Sequence, residues 1–141
     1  EVFTAGFKPP YSINLRMGAE EAAFTFMINV IGFLGGMYMF NRLKEVGNSA
    51  MSVFIVLIMS LNVIVMTRDL FNVFVFVEIG SIATAGMIIL DKNSKSLQAG
   101  LKYLMATGVI SGLFLVGIIF AYYFAGSLNI DGIIAANVGV A

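Results

Sequence analysis

TRDLFNVFVFVEIGSIATAGMIIL, residues 67–90, is the stretch that decides the fold of this chain. A polar corner of three residues opens about twenty mainly apolar ones, and a helix of that length crosses the hydrocarbon core of a bilayer. One carboxylate, Glu78, lies inside the apolar run. Because an acid at that depth costs at least about 2.5 kcal/mol, we expect Glu78 to have either a function or a buried partner.

The composition indicates an integral membrane protein. Of the 141 residues, 60% are hydrophobic and only 11% are charged, whereas about 25% of a soluble domain is charged. The net charge of zero argues against a nucleic-acid partner. The absence of Cys and His excludes thiolate-held iron–sulfur clusters and histidine-ligated haem. We therefore expect no cofactor in this chain, and any iron–sulfur, nickel–iron or quinone site to lie in partner subunits.

Four apolar stretches predict an all-α transmembrane fold. A polar segment precedes them, polar loops or a tight corner separate them, and the stretch after them is too short to span. The predicted units are a polar segment at 1–21, a four-helix region at 22–125 and a following loop at 126–141. The predicted spans are 22–40, 49–66, 70–90 and 97–125, separated by loops at 41–48 and 91–96 and a corner at 67–69.

The distribution of basic residues predicts the orientation. Five Lys and Arg side chains lie in or just beyond the loops at 41–48 and 91–96, and three lie on the other side of the spans. Because Lys and Arg are enriched in cytoplasmic loops, we expect these two loops in the cytoplasm. The segment at 1–21 and the corner at 67–69 then face outward.

The buried acid allows two interpretations. Glu78 is either a proton- or cation-handling carboxylate whose pKa is set by a movable charged partner, or a carboxylate held by a fixed buried hydrogen bond. Lys102 lies about 8 Å into its span and Glu78 about 19 Å into its own, so the two are too far apart in depth for a direct pair. We expect the close partner of Glu78 to lie outside this chain. Lys102 then either extends to the interface or is a second station on a hydrated path.

Four further residues are candidates for function or for structure. Arg68 and Asp69 adjoin at the corner, where a solvated turn with Asp69 as the cap of the following helix is the structural interpretation. Thr107 and Ser111 lie four residues apart on the last span. Their hydroxyls either hold helices together or line a water path.

Three stretches together resemble one family of membrane proteins. Residues 67–79, TRDLFNVFVFVEI, are similar to the region between the fourth and fifth helices of the antiporter-like proton-pumping subunits. These subunits occur in complex I, in multisubunit sodium/proton antiporters and in membrane-bound hydrogenases. Residues 9–16, PPYSINLR, resemble the outward loop before the third helix of that family, and residues 101–104, LKYL, the start of its sixth.

The resemblance implies that this chain corresponds to helices three to six of a larger inverted-repeat bundle. Glu78 matches the glutamate of the family's fifth helix, which pairs with a lysine on a broken seventh helix. Two departures are visible. Gly18 stands where the family usually has an aspartate, and the seventh helix with its lysine is missing. The chain is therefore either a split subunit completed by a neighbour or an incomplete portion of a longer one.

These observations support two functional hypotheses. The first is an ion-translocating subunit of a complex I-related, hydrogenase or multisubunit antiporter complex in the plasma membrane of a prokaryote, surrounded by lipid and by other membrane subunits. One of those neighbours would supply the lysine partner of Glu78. The second is a non-transporting membrane scaffold in which Glu78 is a fixed contact. An enzyme with its own active site is poorly supported, because no clustered catalytic set appears. The sequence does not discriminate the ion or the host complex.

Overall fold

The computed structural model of the chain describes residues 2–3, 14–91 and 93–138. Within them the chain forms one two-stranded antiparallel sheet and five α-helices, of which four are long and apolar enough to cross a membrane. The all-α transmembrane prediction is therefore confirmed. The strands are β1 (Val2–Phe3) and β2 (Asn14–Leu15), and the helices are α1 (Ala19–Val46), α2 (Asn48–Met66), α3 (Leu70–Ile88), α4 (Ser94–Ala125) and α5 (Ile130–Val138).

The four long helices pack in chain order, α1 on α2, α2 on α3 and α3 on α4. Small residues lie where neighbouring helices approach most closely, as is usual between membrane helices. A Cβ added to Gly80 of α3 would lie 3.0 Å from the hydroxyl oxygen of Ser60 on α2, and one added to Gly32 of α1 would lie 2.9 Å from Ile58. Ala83, another small residue of α3, is likewise buried.

The predicted loop at 41–48 is wrong, because α1 continues through Val46 and α2 begins at Asn48. Leu43 is fully buried, so the polar end of α1 is held by packing, and Arg, Leu, Lys and Glu are all good helix formers. Gly47 breaks the helix with a φ of 111°, a conformation that favours glycine. Its N–H donates to the carbonyl of Leu43 at 3.0 Å.

Two other connections differ from the prediction. The loop expected at 91–96 is shorter, because α3 is followed by a 3₁₀ turn at Ile89–Asp91 and α4 begins at Ser94. The side-chain oxygen of Asn93 accepts from the N–H of Ser96 at 2.7 Å and caps α4. The segment after Gly126, predicted as a loop, contains α5. The segment is mainly apolar, which suits a helix, but the helix is too short to cross a membrane.

The opposite end of the bundle is held together by backbone hydrogen bonds around the corner at 67–69. The N–H of Arg68 donates to the carbonyl of Asn14 at 2.9 Å, and its carbonyl accepts from the N–H of Ile130 at 2.8 Å. The corner thus lies between β2 and the start of α5. Within the polar segment predicted at 1–21, the chain forms the strand Asn14–Leu15, while residues 11–13 lie outside the described part of the chain.

Candidate functional site

Glu78 lies on α3 in the middle of the span. It follows the N-cap Asp69 by nine residues, which corresponds to about 14 Å along the helix axis. The residue is half-buried within this chain. Among the described residues no hydrogen-bond donor and no basic group contacts its carboxylate. The four spans therefore leave the acid without the fixed contact that a purely structural role would require.

Lys102 does not fill that gap. It lies on α4 with its side chain exposed, and it forms no ion pair with Glu78. This agrees with the separation in depth estimated from the sequence. An exposed lysine near the start of a membrane helix is placed to reach the polar interface with its ammonium group.

Thr107 and Ser111 both face α3, and the structure brings them together with a third hydroxyl, that of Ser81. The three line a cavity of about 210 Å³ between α3 and α4. Ser111 is buried, with 6% of its surface exposed. Val77 also lines the cavity. The wall of the cavity therefore includes the residue directly before Glu78 and Ser81, three positions after it. Glu78 itself does not line this cavity, although Val77 and Ser81 on the same helix do.

Asp69 has the structural role that its position predicts. Its carboxylate accepts from the N–H of Asn72 at 2.8 Å and caps the first turn of α3. The side chain of Asn72 in turn donates to the hydroxyl of Thr67 at 2.8 Å in a buried contact. The cap fixes where α3 begins and hence the register of the residues along it.

Arg68 forms a contact that the sequence did not reveal. Its guanidinium pairs with the carboxylate of Glu21 at 2.5 Å, and both side chains are largely buried. The other carboxylate oxygen of Glu21 accepts from the N–H of Gly18 at 2.8 Å. The pair joins the first turn of α1 to the corner before α3. No local sequence pattern predicts a contact between two residues that are 47 positions apart. The only hint in the sequence was the interpretation that the corner has a function.

Two more polar contacts between elements connect residues far apart in sequence. The amide of Asn29 on α1 donates to the side-chain oxygen of Asn62 on α2 at 2.9 Å, which is a hydrogen bond across a helix interface. Arg42 at the end of α1 pairs with Asp91 in the 3₁₀ turn. In the part of the chain that the structure describes, no three acidic side chains group closely enough to hold a metal ion.

Comparison with known proteins identifies the family. Residues 67–140 match the model of the family described as NADH:quinone oxidoreductase/Mrp antiporter, transmembrane region. The match covers more than half of the chain. The chain belongs to this family. The matched region of the chain begins at the polar corner. It includes Glu78, Lys102 and the hydroxyl residues that line the cavity.

Individual relatives agree with this assignment. The chain is 32% identical over 126 residues to a Na(+)/H(+) antiporter subunit of Bacillus subtilis, covering 88% of this chain and 26% of that protein. It is 28% identical over 131 residues to a subunit of the NADH-quinone oxidoreductase of Desulforudis audaxviator, covering 90% and 26%. A chain in the structure of the membrane-bound sulfane sulfur reductase, an archaeal respiratory membrane complex, matches with a TM-score of 0.83 and 32% identity, covering 93% and 27%.

The chain thus spans about a quarter of the length of the relatives it matches. Its fold agrees with the corresponding part of a solved respiratory complex. The resemblance to antiporter-like subunits noted in the sequence is confirmed at the level of the family.

Proposed function

We propose that this chain is part of an ion-translocating, antiporter-like membrane subunit that moves protons, or exchanges sodium ions for protons, with Glu78 as the ion-handling group. The observation that carries the proposal is the position of Glu78. It lies in the middle of a membrane-spanning helix, half-buried, and none of the described residues bonds its carboxylate. Ionisable residues inside membrane spans are costly and usually mark an ion or proton pathway.

The proposed mechanism uses two charge states of one carboxylate. In its charged form Glu78 pairs with a lysine supplied by protein outside this chain, and in its protonated form it releases that lysine. Coulomb interactions are strong in a weakly polar site, so arrival of a proton at Glu78 changes the energy of the pair by enough to move the lysine. Lys102, Thr107 and Ser111 are proposed as further stations, the first near the interface and the other two beside α3.

The names of the relatives indicate the setting. They include subunits of Na(+)/H(+) antiporters and of NADH-quinone oxidoreductases, and the solved relative is a respiratory membrane complex. We accordingly place this chain in a hetero-oligomeric complex in a prokaryotic plasma membrane, in contact with other membrane subunits and lipid. The ends at 41–48 and 91–96 face the cytoplasm. Where the complex is redox-driven, its iron–sulfur, nickel–iron or quinone sites belong to partner subunits.

The substitution Glu78→Gln in the full complex tests the proposal. The amide keeps the size and hydrogen-bonding capacity of the side chain but removes its charge and its titration. We expect the complex to assemble in normal amounts and to lose ion transport in proteoliposomes. The matched control is Glu45→Gln, which removes an exposed carboxylate in the last turn of α1 and should leave transport unchanged.

The alternative of a non-transporting scaffold makes the opposite prediction. If Glu78 is a fixed contact between subunits, Glu78→Gln should reduce assembly on a native gel. Normal assembly together with normal transport would reject the ion-handling role.

A further inference from the structure

A groove runs between α1 and α2, on the opposite side of the chain from the α3–α4 cavity in the order of helix packing. It holds a cavity of about 620 Å³ whose lining is apolar except for Asn29 and Asn62. Three of the apolar lining residues, Phe33, Ile55 and Met59, expose about half or more of their surface. In a membrane such a groove is filled by another helix or by a lipid chain.

The polar end of the groove lies toward the corner at 67–69. Asn62 precedes Met66, the last residue of α2, by four residues, which is about 6 Å along the helix. Phe54, at the far end of the cavity, lies eight residues before Asn62, or about 12 Å deeper. The hydrocarbon core is about 30 Å thick, so each leaflet contributes about 15 Å. The cavity therefore extends through one leaflet and ends close to the midplane.

The two amides leave one donor at this end. The side-chain nitrogen of Asn29 uses both hydrogens, on the carbonyl of Thr25 at 2.7 Å and on the side-chain oxygen of Asn62 at 2.9 Å. The nitrogen of Asn62 donates one hydrogen to the carbonyl of Ile58 at 2.9 Å, and no described residue accepts its second hydrogen. Because a polar group away from water is costly without a partner, the occupant of the groove should bring an acceptor such as an ester carbonyl.

A positive charge lies above the amides. The N–H of Arg16 donates to the carbonyl of Met66 at 2.8 Å, which places the backbone of Arg16 at the end of α2, one turn above Asn62. The side chain of Arg16 is exposed, and no carboxylate of the described residues pairs with it. The guanidinium is thus available to an anion at the surface of the membrane.

The acids of the first turn of α1 do not cancel this charge. Glu21, on which Arg16 acts electrostatically, is already paired with Arg68. Glu20 lies nine residues before Asn29, and at 3.6 residues per turn this places it on the opposite face of α1. The end of the groove therefore carries a net positive charge.

We propose that this groove binds one anionic phospholipid of the leaflet on the side of the corner. Its phosphate lies on Arg16, an ester carbonyl accepts from Asn62, and one acyl chain runs along the cavity toward Phe54. The order of positive charge, amide donor and apolar lining along the membrane normal is the order of phosphate, ester and acyl chain in such a lipid. A docked helix would account for the apolar lining but would give the exposed arginine no role. The proposal does not depend on the role of Glu78.

The experiment uses the full complex in vesicles of phosphatidylethanolamine with a minor fraction of phosphatidylglycerol. A trace of the phosphatidylglycerol carries a photoactivatable diazirine in the middle of one acyl chain. After irradiation, mass spectrometry locates the labelled residues. We expect several-fold more label on Phe33, Ile55 and Met59 than on exposed apolar residues of α4 such as Leu113. Additional unlabelled phosphatidylglycerol should compete for the groove, whereas phosphatidylethanolamine should not.

Two variants with matched controls test the parts of the site. Arg16→Gln should lower the labelling of the groove about fivefold, which is the contribution of one basic residue near an anionic lipid surface. Lys44→Gln removes an exposed charge in the last turn of α1 and should have no effect. Ile55→Trp fills the groove and should abolish the label on Phe33. Leu61→Trp changes an exposed residue of the same helix outside the cavity and should preserve it.

The outcomes decide between a lipid and a helix. Label in the groove no higher than on α4, or equal competition by phosphatidylethanolamine, would refute the proposal. So would a cysteine cross-link from Ile55→Cys to another subunit in the absence of lipid label, because a helix would then cover the groove. Glu78→Gln should leave the labelling unchanged. If Ile55→Trp fails to assemble, Arg16→Gln decides alone, since its side chain is exposed and an unchanged label in that variant would refute the phosphate contact.

Discussion

Gly100 gives a test of the packing between α3 and α4. It is buried at the start of α4, against Ile89 in the 3₁₀ turn that follows α3. A Cβ added to Gly100 would lie 2.5 Å from Cγ1 of Ile89 and 2.7 Å from its Cδ1. Since carbon atoms prefer separations of about 3.5–4.0 Å, Gly100→Ala requires the Ile89 side chain or one helix end to move by roughly 1 Å.

The expected magnitude combines two opposing effects. Adding a methyl group to a packed contact costs typically about 1–3 kcal/mol, whereas Ala in place of Gly within a helix gains roughly 0.5–1 kcal/mol. Gly100→Ala should therefore destabilise the protein by up to about 2.5 kcal/mol. In an Ile89→Ala background both obstructing carbons are gone. There the same substitution should become stabilising, by about 0.5–1 kcal/mol from helix propensity alone.

The assay is the midpoint of heat-induced aggregation of the detergent-solubilised complex, measured for the wild type, both single variants and the double variant. The control is Gly108→Ala on the same helix, because no atom of the described residues, apart from the adjacent backbone of α4 and its chain neighbours, lies within 4 Å of a Cβ added there. It should leave the midpoint unchanged or raise it. The account of the α3–α4 contact is refuted if Gly100→Ala shifts the midpoint by the same amount and sign in both backgrounds.

Two further sets of substitutions test the corner before α3. Asp69→Ala should lower stability by about 1 kcal/mol through loss of the helix cap, while Asp69→Ser should be close to wild type in the same thermal assay; equal losses in both would mean that the negative charge, and not the cap, matters. Arg68→Gln and Glu21→Gln should each lower the yield of assembled complex on a native gel, because each leaves a largely buried charge without its partner. The exchange Glu21→Arg/Arg68→Glu should recover part of that yield, and a double variant that is worse than both single variants would argue against a direct pair.

The spans could be predicted from the sequence because their cause is local. An uninterrupted apolar run of sufficient length has to be a membrane helix, and all four predicted spans are present. The helix ends were harder to predict. Asn41 to Glu45 look like a loop by polarity, but Leu43 among them is fully buried and keeps the chain helical as far as Gly47.

In the candidate site, too, local features could be predicted from the sequence and tertiary contacts could not. The spacing of Thr107 and Ser111 places both on one face of α4, and this face is the one that packs against α3. The sequence could not show that Ser81 completes the cavity, because that depends on how α3 is rotated. The pairs Arg68–Glu21 and Arg42–Asp91 join residues 47 and 49 positions apart. Such contacts follow from the tertiary arrangement of helices and have no local pattern.

The most direct measurement of the central claim is the infrared difference spectrum of the full complex between its resting state and steady turnover. If Glu78 alternates between a charged and a protonated form, the spectrum contains a carboxyl band that appears during turnover and is missing in the Glu78→Gln complex. A spectrum that is identical in the wild type and in the variant, from complexes that both turn over, would contradict the claim.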